Sequence, residues 1–191
     1  MIAQSLGSSM RSFDRVMQRS PCIYAAGSRL GFSPRSDEYR DLVGHLSSSY
    51  PSFMAALEEC ISGRLDGYVL ELPGWAGEDV DALSASVHRA LDWYASRTGQ
   101  QDQISLDDLR DPTFWFQWGE HRLFVIAFGP CFDEGHPRYT YGCAETFVLF
   151  QHRLAFKRRH PDEIPISRRK LIRHRFAASG QYYDQDMGAV P

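Results

Sequence analysis

Between Gly129 and Tyr139 the sequence brings together a thiol, an imidazole, two carboxylates and a guanidinium: Cys131, Asp133, Glu134, His136 and Arg138. The segment follows a long apolar run and contains Gly129, Pro130, Gly135 and Pro137, so it reads as a loop on a rigid support, where sites tend to lie. An imidazole or a thiolate there could ligate a haem iron. Arg138 could hold a carboxylate through paired N–H donors. The same residues also suit a surface turn with a capped histidine. The other histidines, His45, His88, His121, His152, His160 and His174, are scattered, and none pairs at metal spacing. His88 falls near the apolar stripe of a helix, which leaves both a core role and an axial-ligand role open. The cysteines Cys22, Cys60, Cys131 and Cys143 form no C-x-x-C pair and no zinc pattern, so four reduced thiols are expected.

The elements that would position these groups follow from periodicity. Phe114–Trp118 and His121–Phe128 read as two strands joined by Gly119-Glu120, with glycine placed for a type II′ turn. Alternation puts Phe114, Phe116 and Trp118 on one face and Trp115 on the other. Two aromatic faces could flank a flat macrocycle, or simply fill a core. The run Leu123–Phe128 is continuously apolar, which predicts a central strand covered on both faces. Further strands are expected at Gly67–Leu72, stopped by Pro73-Gly74, and at Glu145–Gln151. Helices are expected over Asp37–Leu46, Ser52–Ile61, Glu78–Ser96 and Ser167–Phe176, with Asp107–Pro112 as a polar connector. Gly27–Ser36 reads as a loop able to cover a ligand. Adjacent hairpin strands favour an α+β fold: one domain over 21–178 with a small, mainly antiparallel sheet covered by helices. Residues 1–20 read as an arm or short helix, and 179–191 as a frayed tail.

Bulk properties narrow the classes. The 191 residues suffice for one sizeable core. A net charge of −3 argues against a nucleic-acid partner held by phosphate neutralisation. No apolar run reaches membrane-span length. Met1–Ser9 lacks the basic start and apolar stretch of a signal peptide, so the cytoplasm is the expected compartment. The C-terminal third is rich in Arg153, Lys157, Arg158, Arg159, Arg168, Arg169, Lys170, Arg173 and Arg175. It suits phosphates, propionates or an acidic partner, or else a solvated helix face. There is no Walker loop, G-x-G-x-x-G, G-x-S-x-G or H-E-x-x-H.

Several segments together resemble the YqcI/YcgG family of haem-dependent N-hydroxylases. They are Ser20-Pro21-Cys22, the strand Tyr68–Leu72 with its following helix, and above all Asp111-Pro112-Thr113-Phe114-Trp115-Phe116-Gln117-Trp118-Gly119-Glu120-His121-Arg122-Leu123-Phe124-Val125-Ile126. Arg138-Tyr139, Phe147–Gln151 with Phe156, and Ile172-Arg173-His174-Arg175 are similar to later family segments. The resemblance implies a haem cofactor, an arginine-like small-molecule substrate and an electron-donor protein. The implied reaction is hydroxylation of a guanidino or amino nitrogen, such as L-arginine to Nω-hydroxy-L-arginine in antibiotic biosynthesis. Haem binding or sensing without turnover, and a non-haem interaction domain, are the alternatives. Where the family carries Leu-His-Pro, this sequence has Phe128-Gly129-Pro130. His136 is then the first substitute iron ligand, followed by His88, Cys131 and Cys22. Trp115 and Phe116 would wall the macrocycle. Arg138, Arg173 and Arg175 would hold propionates or a substrate carboxylate. Asp133, Glu134 and Glu145, with Glu71, would grip the substrate cation.

Overall fold

The computed structural model describes residues 6–36, 41–99, 104–111, 114–161 and 164–182. Its strands are β1 (Leu30–Phe32), β2 (Gly67–Leu72), β3 (Phe116–Trp118), β4 (His121–Phe128) and β5 (Thr146–His152). Its helices are α1 (Leu6–Arg19), α2 (Leu42–Ile61), α3 (Val80–Ser96), α4 (Leu106–Arg110), α5 (Arg153–Arg159) and α6 (Ile166–Ala178). The strands form one sheet in the order β1-β2-β5-β4-β3. Only β1 and β2 run parallel; the other pairs are antiparallel. This is the single α+β domain that the pattern predicts, with a mainly antiparallel sheet covered by helices.

Strand alternation sorts the core into two layers. Tyr68, Leu70, Leu72, Val148, Phe150, Leu123, Phe116 and Trp118 lie in one layer, with α2 and α3. Phe53 of α2 sits at its centre, ringed by Tyr94, Tyr68, Trp118 and Phe150 at centroid distances of 4.5–5.6 Å. Val69, Phe147, Leu149 and Phe128 point the other way, onto Phe13 and Val16 of α1. Phe13 meets Phe147 and Phe128 edge-on at 5.1 and 5.6 Å. Each such buried aromatic contributes about 2–3 kcal/mol, so α1 is a covering helix and not a loose arm. The hairpin turn is as predicted: Gly119 has φ +57, the sign required at the first central position of a type II′ turn.

Four expectations need correction. The Gly27–Ser36 segment contains β1, whose three residues pair with Gly67–Val69. The two helices expected on either side of Ser47–Pro51 are one 20-residue helix, α2, with Pro51 inside it. Its buried stripe of His45, Leu46, Ser49, Phe53, Ala56, Leu57 and Cys60 keeps helical spacing through the proline, so packing outweighs the lost backbone donor. Residues 37–40 lie outside the described residues. The polar connector contains α4, closed by a capping box between Ser105 and Asp108. Finally, β4 is central in pairing, but Phe124–Ala127 are only half-buried. Of the tail, Gln181 is buried and Tyr182 donates its N–H to the Gly135 carbonyl; residues 183–191 lie outside the described residues.

Candidate functional site

The most unusual polar group stands at the end of β2. Glu71 interrupts the apolar run Gly67–Leu72, and alternation turns it toward the α1 side, where it is 3% exposed. Around it meet the ends of β1 and β2, the start of β5 and α1. Ser36 donates its N–H and hydroxyl to Oε1 at 3.2 and 3.4 Å. The Glu71 N–H donates to the Ser33 hydroxyl at 2.9 Å, and its carbonyl accepts from His45 Nε2 at 2.6 Å. These bonds fix the backbone and one carboxylate oxygen. The other oxygen, Oε2, is buried and accepts no hydrogen bond from the described residues. Burial pushes the carboxyl above its ordinary range and the neighbouring Glu145 adds to this, while Ser36 and Arg35 oppose it.

Glu145, half-buried just before β5, accepts from the Ser12 hydroxyl of α1 at 3.1 Å. Cys143 is buried alongside, its thiol donating to the Ser12 carbonyl at 3.2 Å. Burial pushes that thiol up, with Glu145 and Glu71 adding and Arg15 and Arg19 opposing. It is therefore a neutral donor, not a nucleophile. A carboxylate oxygen without a donor, next to a second carboxylate, is equipped to receive N–H groups from a guanidinium or ammonium ion. Of the sequence candidates for the cation grip, Glu145 and Glu71 are brought together here. Asp133 and Glu134 instead close their own loop: Asp133 accepts from the Gly135 N–H at 2.9 Å, and Glu134 from the Tyr139 hydroxyl at 3.4 Å.

The groups proposed for a haem are not gathered in the same way. Trp115 packs on Phe124 and Phe156 at 5.8 and 6.0 Å, on the face opposite Phe116, which is fully buried against Phe150. The two rings therefore cannot flank one macrocycle. The His136 ring is stacked on Phe132 at 4.0 Å, and its Nδ1 accepts from the Arg138 N–H at 3.1 Å. With Nδ1 accepting, a neutral imidazole carries its proton on Nε2, and neither nitrogen offers iron a lone pair. Burial, then Arg138, lowers the His136 pKa, so the neutral ring is favoured. Arg138 lies with its guanidinium 5.7 Å from the Phe128 ring centre. His88 Nε2 donates to the Ile104 carbonyl and is 3.5 Å from Asp92, as a strut behind α4. Burial raises the Cys131 thiol, away from the thiolate that ligates metal. At Gly129 even a Cβ would come within 3.2 Å of Cys131 Sγ. Arg173 and Arg175 are exposed on α6. As arranged, these residues do not form a haem-ligand set.

A second constellation escaped the spacing argument. His152 Nε2 and His121 Nδ1 lie 3.3 Å apart on neighbouring strands, with Trp118 stacked on His121. That separation would suit two metal ligands. However, His152 Nδ1 accepts from the Leu154 N–H at 3.1 Å, which leaves the proton on Nε2 and makes the pair a hydrogen bond. Among the described residues, no group of three His, Cys, Asp or Glu could hold a metal ion. No described helix is long and apolar enough to cross a membrane. In comparisons with known proteins, no family model, curated protein or solved structure matches the chain.

Proposed function

We propose that this protein recognises a small guanidino or amino compound, and that Glu71, with Glu145 beside it, receives the cationic nitrogen. One observation carries the reading: a carboxylate oxygen, Glu71 Oε2, is buried with no hydrogen-bond donor among the described residues. Such a group costs free energy until a donor reaches it. This is also the substrate class of the N-hydroxylases that the segments around Phe114–Ile126 resemble. A bound haem would supply the oxidising chemistry for such a step, but His136, His88 and Cys131 do not support iron ligation in this arrangement.

The test is calorimetric titration of the full chain with L-arginine, simple guanidines and primary amines, repeated on Glu71→Gln. Binding in the wild type and its loss in the variant are expected. No heat with any of these compounds, or equal binding by the variant, sinks the reading. Titration with hemin, followed at the Soret band, addresses the oxidative half separately. Failure to take up hemin removes haem chemistry and leaves the cation site standing.

A further inference from the structure

The charge of this protein is strongly divided. Residues 153–178 carry nine Lys and Arg against Asp162 and Glu163, a net +7, in a chain whose total is −3, so the remaining residues are net −10. Most of that positive charge lies on α6, a helix badly suited to stand alone. No side chain caps its start, its first turn holds no acidic residue, and Arg168 and Arg169 sit where the helix dipole favours anions. Arg169 and Arg173 are four positions apart, and Lys170 is three from Arg173, so like charges face each other along the helix. Of its thirteen residues only Phe176 is buried. The helix is pinned at its ends: by Ile164 in front, and behind by Gln181, whose side chain donates to the His136 carbonyl at 3.3 Å and accepts from the Tyr141 hydroxyl at 3.1 Å. Between these pins the outer arc is open, with exposed Arg168, Lys170, Arg173 and Arg175 and exposed Ile166 and Leu171. Among the described residues none of these four cations has an acidic partner within salt-bridge distance.

We infer that the outer arc of α6 is a docking surface for an acidic protein. Charge complementarity selects the class, and the rest of the molecule selects within it. A nucleic acid is a long polyanion that would extend over a body of net −10, and the exposed face of α6 offers no Phe, Tyr or Trp on which bases could stack. A membrane surface needs a broad apolar face, and Ile166 and Leu171 are separated by Arg168, Arg169 and Lys170. A compact acidic patch on a protein matches an arc one helix long, with Leu171 as its small apolar centre. This surface is separate from the Glu71 site, and its existence does not depend on the ligand proposed there.

The experiment is fluorescence anisotropy of the full chain with three labelled probes: a glutamate-rich peptide, a DNA duplex and phosphatidylserine vesicles. The peptide should bind most tightly and weaken as salt is raised. Replacing Arg168, Lys170, Arg173 and Arg175 together by serine should weaken it about tenfold, the combined effect of four exposed ion pairs. Replacing only the three arginines by lysine should restore most of the binding, which separates loss of charge from loss of helix. Tighter binding to DNA or to vesicles overturns the inference. So does a serine variant that binds the peptide like the wild type, or a lysine variant as weak as the serine one.

Discussion

Glu71 combines two properties that pull in opposite directions, and substitution separates them. Its raised carboxyl pKa means that the folded state holds a proton more tightly than the unfolded chain. The sign follows: stability is full below the ordinary value of 4.5, falls as pH rises above it, and stays reduced at neutral pH. Glu71→Gln removes this loss, so the variant should melt about 2–4 °C higher at neutral pH and like the wild type in acid. If Glu71 is the cation grip, the same variant fails to bind guanidines. A variant that is both more stable and inactive is the signature to seek by thermal melts with and without ligand. The carboxylate itself was legible as a break in Tyr-Val-Leu-Glu-Leu. Its partners were not, because Ser12, Ser33 and Ser36 look like any loop or helix serine until the chain folds them onto one strand end.

At the scale of elements, His152 joins β5 to α5. Its Nδ1 caps the helix by accepting from Leu154, and burial, then His121 and Arg158, lower its pKa to about 4. A depressed histidine gives stability that is full above the unfolded value of 6.5 and is lost as pH falls toward 4. His152→Asn keeps a capping oxygen and removes the titration, so its melting temperature should change less across that window than the wild type's. His152→Ala should also lose the cap, about 1 kcal/mol, at pH values well above 4, where Nδ1 is free to accept. A second element prediction concerns α2. Pro51 is exposed within a continuous helix, and Pro51→Ala should raise unfolding free energy by about 1 kcal/mol or more in urea titrations. The Ser-rich stretch and the proline together imitate a helix boundary. Only the buried stripe running through them shows that the helix continues, and a stripe is recognisable as buried only once the sheet beneath it exists.

At the scale of the molecule, Asp66 ties together segments far apart in sequence. Its side chain is 5% exposed and meets Arg29, Arg158 and Arg159 at 3.7, 3.3 and 3.2 Å. Burial alone would raise its pKa, but the Arg29 N–H and the guanidinium groups outweigh it and hold the carboxyl below the ordinary range. Its stabilisation is therefore present above pH 3.8 and lost as pH falls through the lowered value. Asp66→Asn should cost about 2–3 kcal/mol, since it strands guanidinium groups that are themselves partly solvated; equilibrium unfolding at neutral pH measures this. The order β1-β2-β5-β4-β3 was beyond sequence reasoning for a related cause. Alternation says which face a residue takes, but not which strand lies beside it, and β1 is too short to show a period. That shortness has a consequence of its own. Both outer strands, β1 and β3, are three residues long, and β3 covers only His121–Leu123 of the eight-residue β4, so over Phe124–Phe128 that side of β4 has no partner strand among the described residues. In a concentrated solution of this protein, edge-to-edge growth would have its template on that apolar stretch of β4 and not on the outer strands themselves.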